Sequence, residues 1–400
     1  MPKPSGWRRM LTLFTLASFI EVIAYGQLSA FTPLHLPKIG VAPEDVPVAV
    51  GLISAGVNVI GLLFLPFWGV LADRFGRKPL IIRSFAATGA GLAVSAVARN
   101  VWFFTLGRGL NSLNLGNSGL MMTTLHESAP AARIGFAFGV VNGAGPLGAF
   151  IGPLVGGPLV DRYGFNVVLG VDALLLAAVV AGLTFGYRDA FVPSRDRPPI
   201  IHAAFDGLRI IWSSPRLRAL FPALLVVFAG WLLTFTYLPL VVQQIHGDDG
   251  LATAVGIALG ASGLITLIAS PAIGSLADRF GHWRVLYIAA VADGLLWLLP
   301  WAIRDYWPFV IAFGVVSGIG SGVFSLSFNV LASSATDAAR ARVMTFAYLP
   351  LNLGFVAGPG LGALIVSRDV FGIFPTATAF ELIGVFLLAF AARQSVYTAT

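Results

Sequence analysis

The sequence predicts an all-α membrane protein whose twelve transmembrane helices form two similar six-helix bundles. Three observations lead to this prediction. Hydrophobic residues make up 57% of the 400 residues and charged residues only 11%, against about a quarter charged in a soluble domain. Apolar runs long enough to cross a bilayer recur along the chain, and one charged loop sequence occurs twice, 205 residues apart. No soluble core could hide this much apolar surface, so most of it is expected to face lipid.

The apolar runs define the predicted spans, because a bilayer core requires about 20 apolar residues in each helix. The twelve spans are 10–35, 47–70, 79–98, 101–125, 134–158, 166–187, 217–243, 251–275, 284–303, 307–332, 343–366 and 371–392. The polar stretch 188–216 is the predicted linker, and its part from Phe205 to Trp212 is a candidate interfacial helix. The expected domains are therefore 1–187 and 217–400.

The repeated loop indicates that the two halves are tandem copies of one unit. Pro66–Gly76 and Pro271–Gly281 are identical at eight of their eleven positions, and Ala49-Val50-Gly51 upstream matches Ala254-Val255-Gly256. The candidate loop residues are Gly69, Asp73, Arg74, Gly76, Arg77 and Lys78 in the first copy and Gly274, Asp278, Arg279 and Gly281 in the second. Gly76 and Gly281 are expected at tight turns between antiparallel helices.

The basic residues fix the expected orientation. With a cytoplasmic N-terminus, 19 of the 25 lysines and arginines lie inside and five outside, so both termini and both loops are predicted to be cytoplasmic. This distribution explains the net charge of +7 without nucleic acid as a partner. The first span is not expected to be a cleaved signal, since it is too long and carries Glu21 at its middle. The absence of cysteine excludes disulfides and thiolate metal sites, and no cofactor is expected.

The loop Gly69-x-Leu71-Ala72-Asp73-Arg74-x-Gly76-Arg77-Lys78 resembles the signature loop of the major facilitator superfamily. Span 5 adds Gly139, Gly148, Gly152-Pro153 and Gly156-Gly157, whose spacing resembles the helix-5 motif of the family's proton-coupled antiporters, especially twelve-helix drug exporters. The resemblance implies the major facilitator fold and a loop that latches the halves in the outward-facing state. Because His282-Trp283 replaces the basic pair Arg77-Lys78, the first loop is expected to be the stronger latch.

The glycines and prolines of spans 5 and 11 are candidate pivots. Glycine lets helices approach closely, and proline bends a helix by removing a backbone donor. The pattern of span 5 recurs in span 11 as Gly354, Gly358-Pro359 and Gly362, displaced by 206 residues from Gly148 and Gly152-Pro153. One pivot in each half suits a rocking motion.

A few ionisable residues lie inside the spans, where each should face a partner or a wet cavity. They are Glu21, Arg83, Arg108, Asp172, Asp293 and Glu381. Glu21 and Arg108 have similar predicted depths, and the resemblance implies that their helices line the central cavity, with a coupling role for the arginine of helix 4. We therefore expect Glu21 to bind a proton or a cationic substrate in electrostatic contact with Arg108, the alternative being a static ion pair. Asp172, Asp293 and Glu381 are expected to be structural, or Asp293 and Glu381 to form a second protonation site.

The rest of the substrate cavity is inferred from helix position within the family. The candidates are Tyr25, Gln27, Asn111, Asn114, Asn142, Trp231, Phe235, Tyr237, Phe328, Asn329, Tyr348 and Asn352. Aromatic faces around one acid suit lipophilic and often cationic compounds.

The expected function is proton-coupled export of lipophilic or amphipathic small molecules by alternating access. The alternatives are a sugar or metabolite exporter, a symporter, a translocase of lipids or glycolipids, and a non-transporting sensor on the same scaffold. The protein is expected to act as a monomer in a bacterial inner membrane. No enzyme motif is present; Gly143-x-Gly145-x-x-Gly148 matches a dinucleotide fingerprint, but it lies inside a span with no preceding strand.

Overall fold

The computed structural model describes residues 6–114, 117–130, 133–186, 208–336, 340, 343–344 and 346–394, except for the side chains of Pro66, Gly69, Val70, Asp73, Asn142 and Pro146. Every regular element in these ranges is helical. Helices are numbered by span, and the two interrupted spans carry the letters a and b. The helices are α1 Trp7–His35, α2 Val46–Phe75, α3 Arg77–Val97, α4a Val101–Asn111, α4b Asn117–Ser128, α5 Ile134–Tyr163, α6 Phe165–Gly186, α7 Pro215–His246, α8 Leu251–Phe280, α9a His282–Leu296, α9b Leu298–Ala302, α10 Tyr306–Ser333, α11 Leu349–Val366 and α12 Ile373–Ala392.

The all-helical membrane fold is confirmed. Within the described ranges, eleven helical segments are long and apolar enough to cross a bilayer. The fourth span is missing from that set because it is interrupted, with a 3₁₀ turn over Ser112–Asn114 between α4a and α4b. The predicted linker lies mostly outside the described residues; its described part is helical over 208–213, with Ile211 buried and Trp212 exposed.

The two copies of the repeated loop form the same turn. Gly76 and Gly281 have φ values of 94° and 93°, in the left-handed region that favours glycine. Their backbone N–H groups donate to the carbonyls of Ala72 and Ala277, four residues earlier, and so end α2 and α8 in the same way. The predicted tight turns are confirmed.

Equivalent glycines pack the helices within each half. In the N-terminal half, Gly148 and Gly152 lie against the backbone of α1, where an added Cβ would be 3.0 Å from the Phe19 carbonyl and 2.9 Å from the Ile23 carbonyl. In the C-terminal half, the Cβ of a residue at Gly358 would be 2.5 Å from the Ala229 carbonyl of α7. The α11–α7 contact therefore repeats the α5–α1 contact.

The two halves meet through a second pair of equivalent glycines. A Cβ added to Gly51 of α2 would lie 2.6 Å from the Pro359 carbonyl of α11, and one added to Gly256 of α8 would collide with the Pro153 carbonyl of α5. In each contact, a glycine of one half therefore packs on the proline carbonyl of the other half. This crossed arrangement gives a physical reason for the Ala-Val-Gly repeat upstream of the loops.

These contacts lie on the side of the molecule that the distribution of basic residues predicts to be external; the sides are named by that prediction from here on. From the external end inward, the seam between α5 and α8 runs from Gly157 against Ala252 to Phe150 against Gly263. Beyond it, towards the cytoplasm, Gly139, Gly143 and Gly145 of α5 have no described atom within 4 Å of an added Cβ. In the orientation predicted from the basic residues, the described contacts between the halves therefore correspond to an inward-facing conformation.

An aspartate fastens the external end of this seam. Asp161, near the end of α5, accepts hydrogen bonds from the backbone N–H groups of Ala252 (3.1 Å) and Thr253 (2.8 Å) and from the Thr253 hydroxyl (2.5 Å). It thus caps the N-terminus of α8, where unpaired N–H groups and the helix dipole favour a carboxylate. This cap joins one half of the molecule to the other.

Candidate transport cavity

Glu21 is buried in α1 and lies against the break in the fourth span. Its Oε1 accepts a hydrogen bond from Asn114 Nδ2, and the Asn117 side chain lies close by without a hydrogen-bond partner among the described residues. Both amides are neutral, and Glu21 is 8% exposed. The interruption between α4a and α4b thus brings two asparagines of helix 4 to one acid of helix 1.

Arg108 forms no ion pair with Glu21 among the described residues, so the alternative of a static ion pair is not seen in this conformation. Among the described residues, the ion pairs are Arg77–Glu127 and His282–Asp278. Arg108 is 6% exposed, its Nε has no described partner, and its electrostatic contact is with the hydroxyl of Tyr25. In this conformation Glu21 is thus bonded to an amide and Arg108 lies beside Tyr25, and the coupling between Glu21 and Arg108 stays a prediction.

Arg83 supports the break in the fourth span. Its Nη2 donates to the Leu113 carbonyl at 3.0 Å, and its guanidinium lies 3.3 Å from the ring centroid of Trp68. The bond satisfies a carbonyl within the interrupted segment. Arg83 therefore joins α2, α3 and the interruption of the fourth span, instead of extending to the membrane surface as its position near the helix end suggests.

A continuous row of aromatic rings runs along the C-terminal half. Successive ring centroids are 4.7 Å apart for Phe235–Trp231, 6.3 Å for Trp231–Phe324, 4.9 Å for Phe324–Phe328 and 4.7 Å for Phe328–Tyr348. We call these five residues the aromatic row. Phe324 was not a sequence candidate; its position four residues before Phe328, on the same helix face, is the signal that points to it.

The predicted cavity residues divide into exposed and buried sets. Tyr25, although in the middle of α1, is 43% exposed, and Tyr348 is 52% exposed; Asn329 is exposed as well. Asn111 faces α3, since a Cβ at Gly91 would lie 2.9 Å from its Oδ1. The side chain of Asn142 is not part of the described structure.

Three predicted cavity residues are buried in helix contacts in this conformation. Gln27 donates to the Gly152 carbonyl at 3.2 Å and so joins α1 to α5. Tyr237 is fully buried, with its hydroxyl 2.8 Å from the Pro359 carbonyl and 3.1 Å from the Pro47 carbonyl, where it belongs to the external seam. Asn352 is 6% exposed. Their place in the substrate cavity therefore stays a prediction.

The two repeated loops have different partners. In the first, Arg77 forms a bidentate ion pair with Glu127 of α4b, with both N–O distances 2.6 Å, and Lys78 donates to the Thr184 carbonyl of α6 at 2.7 Å. In the second, His282 lies 3.5 Å from Asp278 of the same loop. These bonds stay within one half, so the latch between halves remains a prediction for the outward-facing state.

Comparison with known proteins agrees with this architecture. The profile described as Major Facilitator Superfamily matches residues 14–292 and 250–397. Multidrug resistance protein MdtG of Yersinia enterocolitica is 28% identical over 372 residues, covering 91% of this chain and 88% of that protein. MdtG of Salmonella typhimurium is also 28% identical, over 90% of each protein.

Solved structures share the fold at lower sequence identity. The crystal structure of the nucleoside transporter NupG has a TM-score of 0.78 at 14% identity and covers 96% of this chain and 100% of that chain. The human organic anion transporter MFSD10 has a TM-score of 0.72 at 19% identity, with the same coverage. The predicted family is confirmed: the chain belongs to the major facilitator superfamily and is a membrane transporter, not an enzyme.

Proposed function

We propose that the protein is a proton-driven exporter of lipophilic cations. One observation carries this proposal: Glu21 is a buried acid hydrogen-bonded to the neutral amide of Asn114, without an ion-pair partner among the described residues. Its charge is uncompensated in a region of low dielectric constant, so a bound cation is strongly favoured there. The names of the MdtG relatives, multidrug resistance proteins matched over about nine-tenths of the chain, support drugs as the cargo.

Exchange follows if a proton and an organic cation compete for the carboxylate of Glu21. A protonated Glu21 offers no negative charge to a cationic substrate, and an ionised Glu21 attracts one. In the inward-facing state, a substrate from the cytoplasm displaces the proton. In the outward-facing state, a proton from the external side displaces the substrate, and the proton gradient gives the cycle its direction.

The aromatic row provides the second half of the binding site. Trp231, Phe235, Phe324 and Phe328 offer ring faces to flat apolar groups and attract positive charge through their quadrupoles. Stacking tolerates many ring systems, because it needs no fixed pattern of donors and acceptors. An acid in one half and an aromatic row in the other therefore suit a broad range of cations.

The moving parts follow from the glycine contacts. We assign the pivots to α5 and α11, where Gly152 and Gly358 pack on α1 and α7 and the carbonyls of Pro153 and Pro359 abut the other half. Arg77 and Lys78 are released to the latch when the cytoplasmic side closes. We place the protein in a bacterial inner membrane, as a monomer with cytoplasmic termini and no cofactor.

Proton release on substrate binding tests the exchange directly. Purified protein in weak buffer is mixed with a fluorescent lipophilic cation, and a pH indicator follows proton release. The wild type is expected to release protons, and Glu21→Gln to lose both this release and affinity by about 10- to 150-fold, as expected for a charge-assisted contact of about 1.5–3 kcal/mol. Asp172→Asn is the matched control, a second buried acid in the same half.

Transport in everted vesicles completes the test. With an acidic interior, wild-type vesicles are expected to accumulate the cation, Glu21→Gln vesicles to lose gradient-driven accumulation, and Asp172→Asn vesicles to retain it. Undiminished proton-coupled transport by Glu21→Gln would refute the role of Glu21. If the wild type accumulates no cation at all, the cargo belongs to neutral metabolites or lipids instead.

A further inference from the structure

A second acidic site lies in the C-terminal half, away from Glu21. The carboxyl groups of Asp293 on α9a and Glu381 on α12 are hydrogen-bond neighbours, and the two residues are 1% and 0% exposed. Trp297 Nε1 donates to Glu381 Oε1 at 2.8 Å. Asp293 Oδ1 and Glu381 Oε2 have no hydrogen-bond donor among the described residues. We call Asp293 and Glu381 the acid pair.

Three glycines from three helices make room for the acid pair. A Cβ added to Gly320 of α10 would lie 2.9 Å from Asp293 Oδ2, one added to Gly230 of α7 would lie 3.3 Å from Glu381 Cγ, and one added to Gly294 of α9a would lie 3.2 Å from Glu381 Cβ. A larger residue at any of these positions would press on one of the acids. The acid pair therefore fills a space that these three glycines leave for it.

The acid pair cannot carry two negative charges in this environment. Two carboxylates in contact repel each other strongly, and one unpaired charge inside a bilayer costs about 2.5–3.5 kcal/mol even on the lenient scale. The basic residues of the neighbouring helices lie at the helix ends: Arg216, Arg218 and His246 on α7, and His282 and Arg284 on α9a. Neither acid forms an ion pair among the described residues. At least one proton must therefore be shared between the two carboxyl groups.

Two indole groups favour the singly protonated form. Trp297 already donates to Glu381, and the N–H of Trp231 is buried without a partner. Trp231 Nε1 and Asp293 Oδ2 both lie within 3.0 Å of the same point, the Cβ position of Gly320. Donors stabilise a negative charge, whereas a metal cation needs several more oxygen ligands than two carboxylates provide. The described residues contain no group of three or more candidate metal ligands. The chemistry therefore selects a proton.

Helix α7 connects the acid pair to the pivot of α11. The Ala229 carbonyl lies 2.5 Å from the Cβ position of Gly358, the next residue, Gly230, packs on Glu381, and Trp231 approaches Asp293. Three consecutive residues of α7 thus have three roles: Ala229 contacts the pivot, Gly230 packs on Glu381, and Trp231 lies near Asp293. A change in charge at the acid pair alters the packing of α7, which also packs on α11.

We propose that Asp293 and Glu381 form a second proton-binding site, in the C-terminal half, whose occupancy biases the α11 pivot through α7. The reaction is reversible: the monoanionic pair takes up one proton from water and becomes a neutral pair. The consequence for transport rests on the proposed proton-driven export, but proton binding itself does not.

Infrared spectroscopy of the full-length protein without substrate tests proton binding. The wild type should show a protonated-carboxyl C=O band that shifts in D₂O and changes intensity with pH. Asp293→Asn and Glu381→Gln should each shift or remove it, and Asp172→Asn should leave it in place. Gly320→Ala should shift the band with both acids present, whereas Gly170→Ala, beside which no described atom lies within 4 Å, should not.

Two infrared results would overturn the proposal. One is a spectrum in which neither substitution in the acid pair alters any protonated-carboxyl band. The other is a band that responds to Na⁺ at fixed pH and not to pH, which would make the acid pair a metal-cation site. Both results are independent of transport, so failure of the cation-export assay leaves this test intact.

The link to the pivot needs its own measurement. The sequence has no cysteine, so Ala55→Cys, on α2 facing Gly360 of the seam, is a unique label site for an impermeant thiol reagent added from outside. In a Glu21→Gln background, the labelling rate is divided at each pH by the rate of the denatured protein, which removes the ionisation of the thiol itself. This normalised rate should still vary with pH, by at most about tenfold per pH unit for one linked proton. Adding Glu381→Gln should abolish this variation. If the variation persists unchanged, the acid pair does not influence the seam.

Discussion

The external and cytoplasmic parts of the contact between halves are built from different chemistry on the same helices. Outside, α5 and α8 touch through backbone, with Gly157 on Ala252 and the Pro153 carbonyl on Gly256. Towards the cytoplasm, α5 still carries Gly139, but nothing described lies against it. There, charged side chains pair within one half, as Arg77 does with Glu127. Packing thus closes one side, and charge is available to close the other.

This difference shows how small changes in the contacts on one side can shift the protein between its inward-facing and outward-facing states. Close backbone packing is short-ranged and is lost as soon as the helices separate. Ion pairs act over a longer distance and depend on pH and salt. Three substitutions test this contrast, and each is expected to affect one side only.

The largest effect is expected from Gly157→Val, because its Cβ would collide with the Ala252 carbonyl. Overpacking costs about 1–3 kcal/mol, so the equilibrium should move towards the outward-open state by about 5- to 150-fold. The rate of external labelling at Ala55→Cys measures this shift. Gly145→Val on the same helix is the control, since no described atom lies within 4 Å of its Cβ. Equal labelling of the two variants would contradict a seam sealed by backbone packing.

A smaller effect on the same side is expected from Asp161→Ala, which removes the cap that one half places on α8. Loss of an N-cap costs about 0.5–2 kcal/mol, and Asn is a nearly equivalent cap, so Asp161→Asn should open the seam less than Asp161→Ala. External labelling at Ala55→Cys is again the measurement. Asp369→Ala is the matched control for Asp161→Ala, because the Asp369 side chain accepts from the Phe371 N–H within a single half. If Asp369→Ala raises the labelling as much as Asp161→Ala, the cap between the halves is not the cause.

The smallest effect is expected on the cytoplasmic side, from Glu127→Gln. The hydrogen bond from Arg77 lowers the pKa of Glu127 below its ordinary value of 4.5. The pair therefore stabilises the folded state at pH above that value, and the contribution disappears as the pH falls through the lowered pKa. Because Glu127 is largely exposed, at most about 1 kcal/mol is expected.

Thermal unfolding at several pH values checks the Arg77–Glu127 prediction. Glu127→Gln should lower Tm slightly at neutral pH and match the wild type in strong acid. His282→Gln, in the second loop, should leave Tm unchanged because the His282–Asp278 contact is exposed and local. A larger loss from His282→Gln than from Glu127→Gln would reverse the expected ranking of the two loops.

The sequence predicts the scaffold well because its signals are local. Apolar length places the spans, and Gly76 and Gly281 mark the turns, since only glycine readily adopts their backbone angles. The repeat also identifies Gly51 and Gly256 as equivalents. It cannot show that each packs on a proline of the other half, because equivalence between positions is not contact between them.

The candidate site is predicted less well because its contacts depend on one irregular segment. Glu21 stands out as an acid in an apolar span, but its hydrogen bond from Asn114 requires the break in helix 4. The signal for that break is present: Asn111, Ser112, Asn114, Asn117 and further glycines are weak helix formers placed close together. Tyr237 is predicted to line the cavity from its helix position within the family, whereas its hydroxyl lies in the seam, between the carbonyls of Pro47 and Pro359.

The backbone seam has a thermodynamic consequence for the transport cycle. Closing a surface made of glycine and main-chain carbonyls immobilises almost no side-chain rotamers, so little conformational entropy is lost. The two states can therefore remain close in free energy over a wide temperature range. An equilibrium that is nearly balanced needs only a small bias, and one pKa unit at a single proton site is worth about 1.4 kcal/mol. Glycine at the seam thus makes the cycle sensitive to one proton.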